Sequence, residues 1–184
     1  MHKKRSQSQQ GQQIVEIAAV LLILVLILVP VISIGVVPLR FELARRGVNA
    51  VVHKLAVNDK FSDAVVELQK EQELPSALAS IGGVRIRSTV LSMQVTSQKA
   101  NNLSASVTRP GELAAAWLPD GANAPCDYFL HLKVQTDIDP LITAKVAGQS
   151  AAGLNAPITM TIEEMAHWES LGRDPASGKF YLAE

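Results

Sequence analysis

Cysteine is nearly absent from this sequence. Cys126 is the only one among 184 residues, which excludes an intrachain disulfide and a cysteine-rich zinc site. A single thiol is compatible with a small buried residue or with an intermolecular bridge. We favour burial, because a free cysteine packs like a small hydrophobic side chain.

Net charge is also absent, since 17 Lys and Arg residues balance 17 Asp and Glu residues. Three of the bases, Lys3, Lys4 and Arg5, lie in a leader that contains no acid. Without them the chain has 14 basic and 17 acidic residues, a formal charge of −3. That balance argues against nucleic acid as a partner, because phosphate binding requires clustered Lys and Arg.

Motifs for catalysis and cofactor binding are missing as well. The sequence has no glycine-rich phosphate loop and no G-x-S-x-G nucleophile elbow. Some side chains are of the types that bind zinc and related ions, namely His131, His167, Asp137, Glu163 and Glu164. They lack the H-E-x-x-H spacing, so we interpret them as polar residues on a solvated sheet face. We therefore expect no enzymatic activity, no metal and no cofactor.

A long apolar run follows the leader, and from Ile17 to Leu39 it contains no charged residue. At about 1.5 Å per helical residue it is long enough to cross a hydrocarbon core of roughly 30 Å. A removable secretory signal has an apolar core of only about 7–15 residues before a small-x-small site. The run therefore predicts a retained helix in contact with the lipid bilayer. Pro30, which lacks a backbone donor, predicts a kink near the middle of the bilayer.

A glycine and a carboxylate at the start of the run carry most of the functional information. Glu16 lies inside the apolar pattern, where a charge is costly unless it reaches the interface or a partner. Gly11 lies five residues earlier, directly after the basic leader. This arrangement resembles the class III signal of type IV pilins, pseudopilins and TadE/TadF-like proteins. The sequence GQQIVEIAAV is most similar to the TadE-like branch, from which it differs at Gln13 and Ile17.

The resemblance implies that a prepilin peptidase cuts between Gly11 and Gln12 on the cytoplasmic side and leaves the helix on the mature chain. It also implies methylation, and pairing of Glu16 with the N-terminal amine of a neighbouring pilin or pseudopilin subunit. The chain would be a single-pass protein of the inner (cytoplasmic) membrane with a cytoplasmic N-terminus and a periplasmic or extracellular C-terminal domain. This orientation rests on the resemblance, because Lys and Arg flank both ends of the run. The implied role is assembly of a Flp/Tad-type pilus or a related secretion filament.

An alternative is a bitopic, membrane-anchored protein whose extracytoplasmic domain binds a ligand or partner and has no pilus role. Gly11 and Glu16 would then be coincidental, and a glycine alone is weak support because about 7% of residues are glycine. A membrane-anchored hydrolase is disfavoured by the missing catalytic residues. The leader, the spacing and the intramembrane carboxylate together favour the pilin-like hypothesis.

Helical periodicity continues past the run. Residues 40–57 carry one apolar stripe at i, i+3 and i+4 spacing, formed by Phe41, Ala44, Val48, Val51, Val52 and Leu55. The stripe is expected to pack on the protein's own sheet, with Arg45 and Arg46 as candidates for contact with anionic headgroups. A second helix is predicted from Phe61 to about Glu73. Leu74-Pro75 should end it, because the residue before a proline avoids the helical region.

From Val84 the apolar period becomes two, which predicts strands. A change of facing at Val90-Leu91 predicts a β-bulge, and Asn101-Asn102 predicts a hairpin turn. The clearest strand is 126–138, another starts at 158, and residues 180–182 are predicted to form a short closing strand.

The predicted organisation has four parts. A basic leader (1–11) precedes a transmembrane helix (12–39), amphipathic stalk helices (40–74) and an antiparallel-sheet extracytoplasmic domain (84–184). The fold class is α+β, with a long N-terminal helix followed by a small antiparallel sheet, pilin-like in outline.

Overall fold

The computed structural model describes residues 4–70, 73–99, 103–141, 148–153 and 155–184. The chain forms two compact units. The first comprises residues 1–38 and 139–157, and the second comprises residues 39–138 and 158–184. The first unit contains the apolar helix segment, and the second contains the sheet.

Helix α1 extends from Lys4 to Ala56 and includes the whole apolar run. The predicted helix beyond the run is therefore confirmed, ending one residue before the predicted end. Pro30 and Pro38 both lie inside α1. The kink at Pro30 stays a prediction.

Two shorter helices follow in the second unit. Helix α2, Phe61–Lys70, matches the predicted second helix at its start. The second helix was predicted to end at Leu74-Pro75, but these two residues lie inside a third helix, α3, Glu73–Ala79. Pro75 occupies the first turn of α3, where the missing N–H has no intrahelical acceptor to lose, so the proline is tolerated.

The sheet has four antiparallel strands in the order β2-β1-β3-β4. Their bounds are Val84–Ser97 for β1, Ser104–Val107 for β2, Cys126–Ile138 for β3 and Ile158–His167 for β4. The α+β class and the antiparallel pairing of β1 with β2 are confirmed, and β3 has the predicted bounds. The predicted turn residues, Asn101-Asn102, lie outside the described residues. A 3-10 turn, Ala115–Trp117, lies between β2 and β3.

Strict alternation along β3 gives the sheet one core face. Tyr128, Leu130, Leu132 and Val134 are buried on that face. The apolar stripe of α1 past residue 39 belongs to the same hydrophobic core. The prediction that this stripe packs on the protein's own sheet domain is confirmed.

The bulge in β1 lies at a different place from the predicted one. The register shift falls between Ile86 and Ser88, which leaves Arg87 as the extra residue, not Val90-Leu91. Alternation alone located the change of facing only to within a few residues. The position is consistent with a cross-strand contact, since Nε of Arg87 donates to Oδ2 of Asp137 at 2.7 Å.

The predicted closing strand is wrong. Residues Tyr181–Ala183 form a 3-10 turn, and only an isolated bridge pairs Arg173 with Phe180. The chain turns back because the N–H of Ala183 bonds locally to the carbonyl of Phe180 at 2.9 Å. This turn buries Leu182 in the core.

Candidate functional site

The residues predicted for processing lie in regular helix. Gly11 and Gln12 are both within α1, whose first described residue is Lys4. The backbone therefore presents residues 4–11 of the leader, the Gly11–Gln12 peptide bond and the position of Glu16 along one continuous helix. Gln12 and Glu16 are four residues apart, which corresponds to about 6 Å along the helix axis.

Glu16 stands among exposed apolar side chains. Its own side chain is exposed, and those of Val15 and Ile17 are 68% and 61% exposed. All the side chains from Val15 to Leu28 are exposed. By length and composition this helix is able to cross a membrane. An apolar surface of this extent is unusual on a protein in water and indicates an interaction with lipid or protein.

Further along the same unit, the apolar helix is covered on one side. Ser33 and Val37 are buried, and Ile34, Val37 and Pro38 line a hollow together with Ala152 and Gly153. The hydroxyl of Ser33 has no hydrogen-bond partner among the described residues. Gly35 is exposed, and a Cβ there would meet nothing within 4 Å. Of these two small residues, only Gly35 is accessible to a neighbouring helix.

A polar cluster lies in the second unit, where α1 meets β4. Nε of Arg45 donates to Oε1 of Glu164 at 2.6 Å, and the amide of Asn49 donates to Oε2 at 3.1 Å. The side chain of Glu164 is 11% exposed and that of Arg45 is 54% exposed. Glu42 and Arg46 complete the hollow around them.

Two opposing effects act on the carboxyl group of this cluster. Burial raises the pKa of Glu164. The hydrogen bonds from Arg45 and Asn49, with a smaller contribution from His53, lower it by more, so the pKa of Glu164 lies below its ordinary value. Arg45 thus forms an ion pair within the protein, and its contact with headgroups stays a prediction. The cluster links α1 to β4.

The side chains considered as metal ligands have other partners. Glu163 accepts from Lys133 at 2.6 Å, and this contact holds the pKa of Glu163 below its ordinary value. Asp137 accepts from Thr159 at 2.6 Å and from Arg87, and both bonds lower its pKa. Among the residues that the structure describes, no three His, Cys, Asp or Glu side chains are grouped to hold a metal ion.

The remaining candidates, His167 and Cys126, also have structural contacts. The ring of His167 meets that of Phe129 edge-on, with centroids 5.4 Å apart. Cys126 is half-buried rather than fully buried, and its thiol donates to the carbonyl of Asn123 at 3.3 Å. Burial raises the pKa of the Cys126 thiol, which disfavours the reactive thiolate.

An apolar hollow of about 490 Å³ opens between the short helices and β1. Its apolar lining residues are Val65, Leu68, Leu74, Pro75, Ile86, Val90 and Leu91. Sequence reasoning missed it, because the residues come from three separate elements. None of the described residues that line it is charged.

No family model, no curated protein and no solved structure matches this chain.

Proposed function

We propose that this chain is a TadE-like minor pilin or pseudopilin, a non-enzymatic component in the assembly of a Flp/Tad-type pilus or secretion filament. One observation carries the proposal. The basic leader, Gly11 and Glu16 stand at the start of a helix whose apolar side chains from Val15 to Leu28 are exposed. Such a helix suits a membrane and suits packing against other helices of the same kind.

In this proposal a prepilin peptidase removes residues 1–11 and the helix remains in the inner membrane. The resemblance to the class III signal places the N-terminus in the cytoplasm and the sheet domain on the other side of the membrane. Gly11 suits a narrow protease cleft because it has no side chain. The partners are the peptidase, other pilin or pseudopilin subunits, and lipid.

Glu16 then has a specific electrostatic role in assembly. The cut creates an α-amine on Gln12, about 6 Å along the helix axis from Glu16. A neighbouring subunit displaced by about one helical turn would bring its amine level with this carboxylate. Within the low dielectric of a membrane the attraction between these charges is much stronger than in water. The pairing would therefore set the stagger between adjacent subunits.

Two variants separate processing from pairing. In cells that contain a prepilin peptidase, Gly11→Val should block cleavage, because the added side chain does not fit the cleft. Glu16→Ala should be cleaved normally but should impair assembly, measured by subunit recovery in the sheared filament fraction. Glu42→Ala is the matched control, since this exposed carboxylate lies on the same helix beyond the apolar run. Normal assembly of Glu16→Ala would contradict the pairing.

The alternative function is a bitopic, membrane-anchored protein that binds a ligand or partner through its extracytoplasmic domain. The hollow beside β1 favours it, because about 490 Å³ lies within the roughly 300–1,000 Å³ typical of ligand sites. This alternative requires neither cleavage after Gly11 nor a role for Glu16. A full-length chain with unimpaired partner binding would support it.

A further inference from the structure

The connection between β3 and β4 is unusually long and nearly uncharged. It comprises residues 139–157, whereas hairpin loops usually have about 2–5 residues. From Pro140 to Pro157 the sequence contains one ionisable side chain, Lys145. Connections longer than about 12–15 residues are usually either functional or linker segments. Of this connection the structure describes residues 139–141, 148–153 and 155–157, and we call residues 148–153 and 155–157 the connection segment.

The connection segment lies against the end of the apolar run. Ala152 and Gly153 line a hollow with Ile34, Val37 and Pro38 of α1, within one compact unit. Ile34 is five residues before the last residue of the run, Leu39, which corresponds to about 8 Å along the helix. A membrane that covers the run therefore reaches the depth of the connection segment as well.

The backbone of the connection segment satisfies much of its own hydrogen bonding. The buried side chain of Asn155 accepts from the N–H of Ala151 at 2.6 Å and donates to the carbonyl of Gln149 at 3.2 Å. The N–H of Gly153 donates to the carbonyl of Ala156 at 2.8 Å. Internal pairing of this kind lowers the cost of taking backbone groups out of water.

We infer that the connection segment lies in the interfacial region of the membrane at the C-terminal end of the apolar run and contacts lipid. The inference rests on the proposed membrane span, with which the segment is continuous through Ile34 and Val37. Lipid fits this surface because Ser150, Ala151 and Ala152 are exposed and small, and no charged residue occurs among them. Such a segment would hold the connection at a fixed depth along the apolar run.

The test measures the depth of spin labels on the full-length protein in phosphatidylcholine vesicles. Nitroxides are attached to Ala152→Cys and, as a second position, to Ser150→Cys, in a Cys126→Ser background checked for native tryptophan fluorescence. Leu24→Cys reports the span, and Ala176→Cys reports exposed surface of the other unit. For each label the accessibility to oxygen is divided by the accessibility to a water-soluble nickel chelate. This ratio should be several-fold higher at residues 150 and 152 than at residue 176.

The reference labels distinguish failure of this inference from failure of the proposed span. A label at Leu24 that is accessible to the nickel chelate would overturn both. The inference alone would be overturned if the label at Leu24 lies in lipid but the labels at residues 150 and 152 are as accessible to the nickel chelate as the label at Ala176. If neither oxygen nor the nickel chelate reaches the labels at residues 150 and 152, protein and not lipid covers the connection segment, which would also overturn the inference.

Discussion

Replacing Glu164 by Gln tests whether the polar cluster holds α1 to the sheet. The substitution keeps the size of the side chain and removes the charge that Arg45 contacts at 2.6 Å. It also places an amide nitrogen where one carboxylate oxygen stood, so that one of the bonds from Arg45 and Asn49 is lost. Because the Glu164 side chain is only 11% exposed, water does not fully replace that bond.

The expected loss of stability lies between two limits. Hydrogen bonds to charged groups contribute about 1.5–3 kcal/mol, whereas exposed ion pairs contribute about 0.2–1 kcal/mol. Arg45 is 54% exposed, so solvent screens its charge and the lower end of the range for hydrogen bonds to charged groups applies. We expect Glu164→Gln to lose about 1.5 kcal/mol. With a urea dependence near 1.5 kcal/mol per M, the unfolding midpoint falls by about 1 M.

The assay is urea unfolding of the full-length protein in detergent micelles, followed by the fluorescence of the fully buried Trp168. The pKa of Glu164 is lowered in the folded state, so its contribution is complete above the ordinary value of 4.5 and is lost as the pH falls through the folded value. The difference between wild type and Glu164→Gln should therefore be constant near neutral pH and shrink in acid. Equal free energies of unfolding for wild type and Glu164→Gln at pH 7 would refute this role of Glu164. A difference between them that grows in acid would refute it as well.

Two further substitutions test the packing of the sheet domain in the same assay. Gly121→Ala should lower the free energy of unfolding by about 1–3 kcal/mol, because the added Cβ would clash with the carbonyl oxygen of Ala115. Gly35→Ala is the control, since a Cβ at Gly35 meets nothing within 4 Å. It should change the free energy of unfolding by less than about 0.5 kcal/mol. Tyr128→Phe should cost about 1 kcal/mol, since the buried hydroxyl donates to the carbonyl of Trp117 at 2.8 Å. An unchanged urea midpoint in either variant would show that the contact adds no stability.

Periodicity predicted the elements whose pattern is local. The stripe from Ala44 to Leu55 and the alternation from Cys126 to Ile138 each continue long enough to identify both the element and its buried face. The buried face of each of these two elements follows from its pattern of apolar residues alone. These elements determine the α+β class, which is why the class was predictable.

The incorrect predictions concern features that depend on distant residues or on position within an element. The bulge residue Arg87 contacts Asp137, 50 residues away, and the partner of Arg45 is 119 residues away. The effect of Pro75 depends on whether it falls in a first turn or in a helix interior. The connection segment has no periodicity, so its position against Ile34 and Val37 could not be read from the sequence.

The mass of the mature chain tests the central claim most directly. The full-length gene is expressed together with a prepilin peptidase, and the membrane-extracted protein is analysed by intact mass and N-terminal peptide mapping. The account predicts that the chain begins at Gln12, that Glu16 is retained, and that Gly11→Val leaves Met1 or His2 at the N-terminus. An intact leader on the wild-type chain, or a start beyond Leu39, would contradict it.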